Sequence, residues 1–142
     1  MERRPLRVML VLGDMNLGGI ESVVIGYDRA IDHARVSFDY VAEEGSSVPQ
    51  RGEIEARGEQ VTLIPRYSHL PAYVKALRAH IRAVKPDVVH AHCNTMSVFP
   101  LYAAWRERVP VRIVHNHTCA HRGEAVKTAA KLLLRPFARL YA

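Results

Sequence analysis

The sequence predicts an α/β fold of Rossmann-like, doubly wound type, with a mostly parallel sheet of five strands and helices on both faces. Three observations predict it. Five short apolar runs recur along the chain, each bounded by turn residues. A stretch with helical spacing follows each run. Pro86 and Pro110 stand just before two of the runs, where a helix must end and a strand begin.

Each element can be justified in turn. "RVMLVLG" reads as a buried first strand, and the pattern over residues 20–31 as the helix after it. "VSFDYVA" is the second strand, followed by a weak helical pattern over 51–57. "QVTLIP" is the third, and the helix over 70–84 starts with Pro71, well placed for a first turn. "DVVHAH" is the fourth strand, followed by a helix over 96–108. "VRIVHNH" is the fifth, followed by a helix over 124–141 in which Pro136 predicts a kink. Strand–helix alternation requires right-handed crossovers and a parallel sheet. The chain closes on a helix at Ala142 with no strand after it, so the fifth strand is expected to be a bare edge. A chain longer than these residues is the expectation.

Composition narrows the function class. The chain has 142 residues, 49% of them hydrophobic, which suits one domain with a real core. A net charge of +6 permits anionic partners without selecting one. The basic residues are scattered and no aromatic platform accompanies them, which argues against nucleic acid. Cys93 and Cys119 have no CxxC spacing, so reduced thiols are expected. The apolar run near the start is too short for a signal peptide, and none reaches the length of a membrane span.

The loop after the first strand, "GDMNLGGIESVV", lacks the GxGxxG pattern of dinucleotide sites and the GKS/GKT of a Walker A loop. What remains is strand, turn, Gly18-Gly19 and helix. Such glycines permit positive φ or close approach of a ligand, and a helix N-terminus favours phosphate. A plain tight turn, with Glu21 complementing the helix dipole, explains the same residues. Ligands in doubly wound sheets bind beyond the carboxyl ends of the strands, where strand order reverses. The fourth strand delivers His90, His92, Cys93, Asn94 and Thr95 there, and the fifth His115, His117, Thr118 and His121. That clustering points to a functional cleft. Two HxH pairs also raise the question of zinc, since i and i+2 share a face of a strand. Neither pair has an adjacent carboxylate to orient it, and one member of each is expected to point into the sheet–helix layer. No metal is therefore expected.

The last helix carries Lys127, Lys131, Arg135 and Arg139 every four residues, beside Val126, Ala130, Leu133, Phe137 and Leu140. This is either a core-packing helix with a solvated edge or a membrane-surface helix, running from Glu124 to Tyr141.

"NLGGIESVV", "KPDVVHAHCNTMSVFPLYAA" and "VPVRIVHNHT" resemble the N-terminal half of retaining glycosyltransferases of family four, nearest to bacterial enzymes of exopolysaccharide and capsule assembly. The likeness covers nearly the whole chain with the motifs in order. It implies one half of a GT-B fold, with residues 1–142 as the acceptor-side domain and a donor-binding carboxy-terminal domain missing. It implies sugar transfer from a nucleotide-sugar to a hydroxyl of a polysaccharide or lipid-linked glycan, with retention, and no activity without the second domain. Carried over, Gly18 and Gly19 match the loop that approaches the donor diphosphate, and Glu21 the carboxylate at the loop–helix junction. His117 is the matched catalytic histidine. His92, Asn94 and Thr118 belong to the substrate-binding set. His90 and His115 are assigned to structure, as imidazoles with satisfied hydrogen bonds. No cofactor is implied beyond the nucleotide-sugar co-substrate. A cytoplasmic place is implied, peripheral at the inner face of the membrane if the last helix touches it. The alternative is a standalone Rossmann-like module binding a phosphorylated or nucleotide ligand without catalysis.

Overall fold

A computed structural model describes residues 4–117 and 125–142, the side chains of 125–128, 130 and 131 excepted. Thr118, Cys119 and His121 lie outside the described residues. The strands are β1 (Leu6–Val11), β2 (Val36–Glu43), β3 (Gln60–Ile64), β4 (Val88–Ala91) and β5 (Val111–Val114). The helices are α1 (Gly19–Ala30), α2 (Arg51–Ala56), α3 (Leu70–Val84), α4 (Val98–Arg106) and α5 (Ala125–Tyr141). All strands are parallel, in the order β3-β2-β1-β4-β5. Strand order therefore reverses between β1 and β4, as the doubly wound reading requires.

Alternation along β1 builds the two halves of the core. Val8, Leu10 and Leu12 pack with Tyr40, Ala42, Val24 and Ile25 of α1, and Ile54 of α2. Met9 and Val11 face the other way, onto Val41, Val89, Tyr73, Leu77 and Ile81 of α3, and Ala103 and Ala104 of α4. In β4, Val88 belongs to the first layer and Val89 to the second. His90 and His92 thus fall on the α1 side, and register places Ile113 beside His90. His115 and His117 continue the face of Ile113.

One element differs from expectation. The fourth helix begins later than residue 96, because a 3-10 turn over Asn94–Ser97 precedes it. Asn94 adopts a left-handed conformation at φ 49°, which no α-helix continues. Pro136 lies inside α5 without ending it. The α3 and α4 exits are left-handed at Lys85 and Arg108, each one residue or two before a proline.

At the amino-terminal end of the sheet sits a buried polar cluster. Asp28 is fully buried and pairs with Arg57. His33 reaches the Asp28 carbonyl at 2.9 Å and Glu59 at 3.1 Å. At the opposite flank, β5 is an edge whose Val111 and Ile113 are 46% and 40% exposed. Leu132, Leu133, Phe137 and Leu140 of α5 are exposed too. Apolar surface is therefore exposed at both the fifth strand and the last helix.

Candidate functional site

A cavity of about 250 Å³ opens beyond the carboxyl ends of β1, β2 and β4. Gly13, Asp14, Ile20 and Glu21 line it from the β1–α1 connection, and Glu43 from the end of β2. Tyr67 and Tyr73 enter from the β3–α3 side, and His92, Cys93, Asn94 and Met96 from the segment after β4.

Local hydrogen bonds fix these walls. Asn16 Oδ1 accepts from the backbone N–H and the hydroxyl of Ser47, both at 2.9 Å. The Met15 N–H donates to Ser46 Oγ at 2.8 Å, so the β1–α1 and β2–α2 loops are held together. Asn94 Oδ1 accepts from the His117 N–H at 2.7 Å, which fastens the end of β5 to the β4 loop. His92 Nδ1 lies 2.8 Å from His117 Nε2.

Two lining side chains are both deeply buried and incompletely bonded. His92 is 1% exposed and its Nε2 has no partner. Glu43 is 2% exposed and its Oε2 has no hydrogen bond. The nearest cation to Glu43 is Arg66, whose Nε is 3.6 Å from Oε2 and whose Nη2 lies 3.2 Å from both oxygens of Asp14. The Tyr67 N–H donates weakly to Glu43 Oε1 at 3.4 Å. Burial, with Asp14 nearby, holds the Glu43 carboxyl above its usual range. Buried polar atoms left unbonded cost about 1–3 kcal/mol each, so such atoms on a cavity wall mark a place for a polar ligand.

The histidines form one stack. His115 and His117 are nearly parallel, at 6° and 4.3 Å between centroids, and His90 and His92 are 4.0 Å apart. Burial and the neighbouring rings push His92 down to about 3 and His90 down to about 4; His117 is lowered by the same causes while Glu21 opposes. His90 and His92 are therefore neutral at pH 7. His90, His92 and His115 each bring a nitrogen within 4.8 Å of the others. Of the three ring pairs only His90–His115 is stacked, at 14°; the other two are tilted by 37° and 32°. Asp28, His33 and Glu59 form a second such group, already neutralised in part by Arg57.

The structure brings Glu21, His92 and Asn94 to the cavity and joins His117 to it through His92. Gly18 and Gly19 stand beside it without lining it. Positive φ is not their purpose: Gly18 is extended at φ −162°, and among the described glycines only Gly45 and Gly58 are left-handed. A Cβ on Gly18 would lie 2.6 Å from Glu21 Oε2, so Gly18 makes room for that carboxylate over the start of α1. A Cβ on Gly19 would meet nothing within 4 Å, so that backbone is open to approach. The expectation of satisfied hydrogen bonds at His90 is corrected: its Nε2 is buried without a partner. Ring stacking, not hydrogen bonding, is what places it, because an apolar strand face offers no acceptor. Of the β4 pair, His92 lines the cavity and His90 does not, although i and i+2 share a face of the strand. Sequence reasoning missed Glu43, Asp14, Tyr67 and Tyr73. The one signal was a carboxylate closing the apolar run of β2.

The stack predicts a pH dependence of stability. His92 and His90 have folded values far below the 6.5 of a free imidazole. Below pH 6.5 the unfolded chain takes up protons that the folded chain refuses, so stability falls as pH falls towards 4. The loss is on the order of a few kcal/mol, shared about equally by His92 and His90 down to pH 4.5, and above pH 6.5 these groups give no slope. Glu43, raised when folded, takes its proton first in the fold and offsets part of the loss. Urea midpoints at pH 7 and 4.5 check this. His92→Asn is expected to flatten the difference, and an unchanged difference would contradict the assignment.

Comparison with known proteins shows the family of the chain. The model of "Glycosyltransferase Family 4" matches residues 17–142. "Putative glycosyltransferase EpsF" of Bacillus subtilis (strain 168) is 32% identical over 114 residues, 78% of this chain and 30% of that protein. The chain thus spans under a third of that relative's length. Among solved structures, a putative UDP-N-acetylglucosamine 2-epimerase from Listeria monocytogenes aligns over 99% of this chain and 38% of its own, at 13% identity and a TM-score of 0.62. That likeness is one of fold. With the family model covering all but the first strand and its loop, this chain belongs to glycosyltransferase family 4.

Proposed function

We propose that the chain is the acceptor-binding half of a glycosyltransferase, one half of a GT-B fold, that moves a sugar from a nucleotide-sugar to an acceptor hydroxyl with retention. The observation that carries this is the cavity at the strand ends, where His92 and Glu43 hold buried polar atoms without partners in a family 4 chain. A hydroxyl can serve both: it donates to a carboxylate, and donates to or accepts from an imidazole according to tautomer. A neutral imidazole carries one N–H, so the proton shared between His92 Nδ1 and His117 Nε2 decides which role His92 Nε2 plays.

The remaining roles follow from position. Gly19, with open space before it, is where a donor diphosphate from a second domain approaches the α1 N-terminus. His117, joined to His92 and partly exposed, steadies charge or a hydroxyl at the reacting sugar. Thr118 keeps its proposed binding role outside the described residues. The nucleotide-sugar is a co-substrate and no metal is assigned. The acceptor is a polysaccharide or a lipid-linked glycan. Among the described residues no helix is long and apolar enough to cross a membrane, and contact through the exposed face of α5 is part of the proposal. The alternative, a nucleotide-binding module, is disfavoured because three carboxylates line the cavity that a phosphate would enter.

The test is transfer by the purified chain with a panel of nucleotide-sugars and membrane extract as acceptor, with and without a separately made carboxy-terminal domain. Turnover is expected only with both. Turnover by the chain alone would overturn the half-enzyme reading.

A further inference from the structure

We infer that the cavity selects an uncharged sugar ring, held by hydroxyl donation to Glu43, and rejects uronic acids and phosphorylated sugars. The inference rests on the acceptor reading above and adds the chemical class of the acceptor's terminal residue.

Three observations support it. The cavity lining contains Asp14, Glu21 and Glu43 and, among the described residues, no lysine or arginine. Arg66 stands outside it and spans Asp14 and Glu43, so one positive charge faces three negative ones. The stacked histidine at the wall, His92, is neutral at pH 7 and adds no cation. An anionic ring entering this space sets like charge against like, which costs affinity at any interface.

The second observation is the state of Glu43. It is almost completely buried, accepts only a weak backbone hydrogen bond, and leaves Oε2 unbonded. A carboxylate in that state needs a donor without a charge penalty, and a sugar hydroxyl is such a donor. Hydroxyl donation also strengthens the ionised form against the burial that raises it.

The third is the rest of the wall. Tyr67 at the rim is 47% exposed and Tyr73 beneath is 2% exposed. Together with Met96 and Ile20 they give apolar surface to the C–H side of a ring, while the polar atoms of Glu43 and His92 take its hydroxyls.

The experiment titrates the whole chain, labelled with nitrogen-15, with methyl α-glucopyranoside and with methyl glucuronide at pH 7. Amide shifts at Gly13, Glu43, Tyr67 and Cys93 report the cavity. The neutral glycoside is expected to bind at least about tenfold more tightly than the glucuronide. In Glu43→Gln, which is isosteric and keeps the Tyr67 contact, neutral binding is expected to weaken about tenfold, and the neutral-to-acidic ratio to fall towards one. A merely structural role for Glu43 would leave that ratio unchanged and overturn the assignment. Equal or tighter binding of the glucuronide in the cavity would overturn the selectivity and leave the acceptor reading standing. Cavity amides that respond to neither sugar would overturn both.

Discussion

Replacing Arg57 with methionine is expected to cost about 3–5 kcal/mol of stability at pH 7. Arg57 pairs through Nη2 with Asp28, which has no solvent exposure, and through Nη1 with Glu53 at 3.0 Å. Around this pair, Asp28 Oδ1, Glu59 Oε2 and the Tyr40 hydroxyl are buried without partners. Burial and the Asp28 charge already hold the Glu59 carboxyl above its usual range. Methionine keeps the bulk of the side chain and removes its charge, which leaves a buried carboxylate uncompensated. The variant's carboxyls then take protons more readily when folded than when unfolded. Its deficit against the parent should therefore shrink as pH falls from 7 to 5. Adding Asp28→Asn should recover much of the loss. Urea unfolding of the three proteins at both pH values measures this. A loss under about 1 kcal/mol would place the pair among solvent-screened ion pairs.

Alanine at His117 is expected to lower transfer by about 10²- to 10³-fold in the assembled two-domain enzyme, with little change in melting temperature. Its ring is partly exposed and bonds His92, while its backbone is held independently by Asn94. The fold therefore keeps its geometry when the ring is removed. Alanine at His115 should behave in the opposite way. That ring lies between His90 and His117, at 5.4 Å and 4.3 Å between centroids, and its loss opens the stack. A drop of a few degrees with most of the turnover retained is the expected result. His117→Gln, which keeps a donor near the same place, should recover part of the rate. If the 115 variant loses turnover and the 117 variant loses stability, the two roles are reversed.

The architecture was legible because it is written in local patterns. Apolar runs of strand length and helical spacing between them gave every strand and helix of the sheet, and parallel crossovers gave the β1–β4 switch point. His92 was legible for the same reason, since the end of β4 at the switch point faces the crevice. Glu43 was not, although it closes an apolar strand. Its place in the cavity depends on β2 neighbouring β1 and on the β3–α3 connection folding Tyr67 and Tyr73 over it. Such contacts between distant segments leave no periodic trace. The same holds for Asp28, Arg57 and Glu59, which come from three separate elements. The glycines read as a site of positive φ or of close approach; Gly18 is extended, and the space before Gly19 is open. The late start of α4 was hidden as well, because Asn94 trades helical φ for a bond that pins His117.

The central claim is that this chain holds the acceptor and not the nucleotide. Calorimetric titration of the purified chain with uridine- and guanosine-diphosphate sugars tests it most directly. With three carboxylates on the cavity wall, no saturable binding is expected at ligand concentrations up to about 1 mM. A micromolar nucleotide-sugar complex, weakened by substitution at Glu21 or Asn94, would contradict the account and make the chain a nucleotide-binding module.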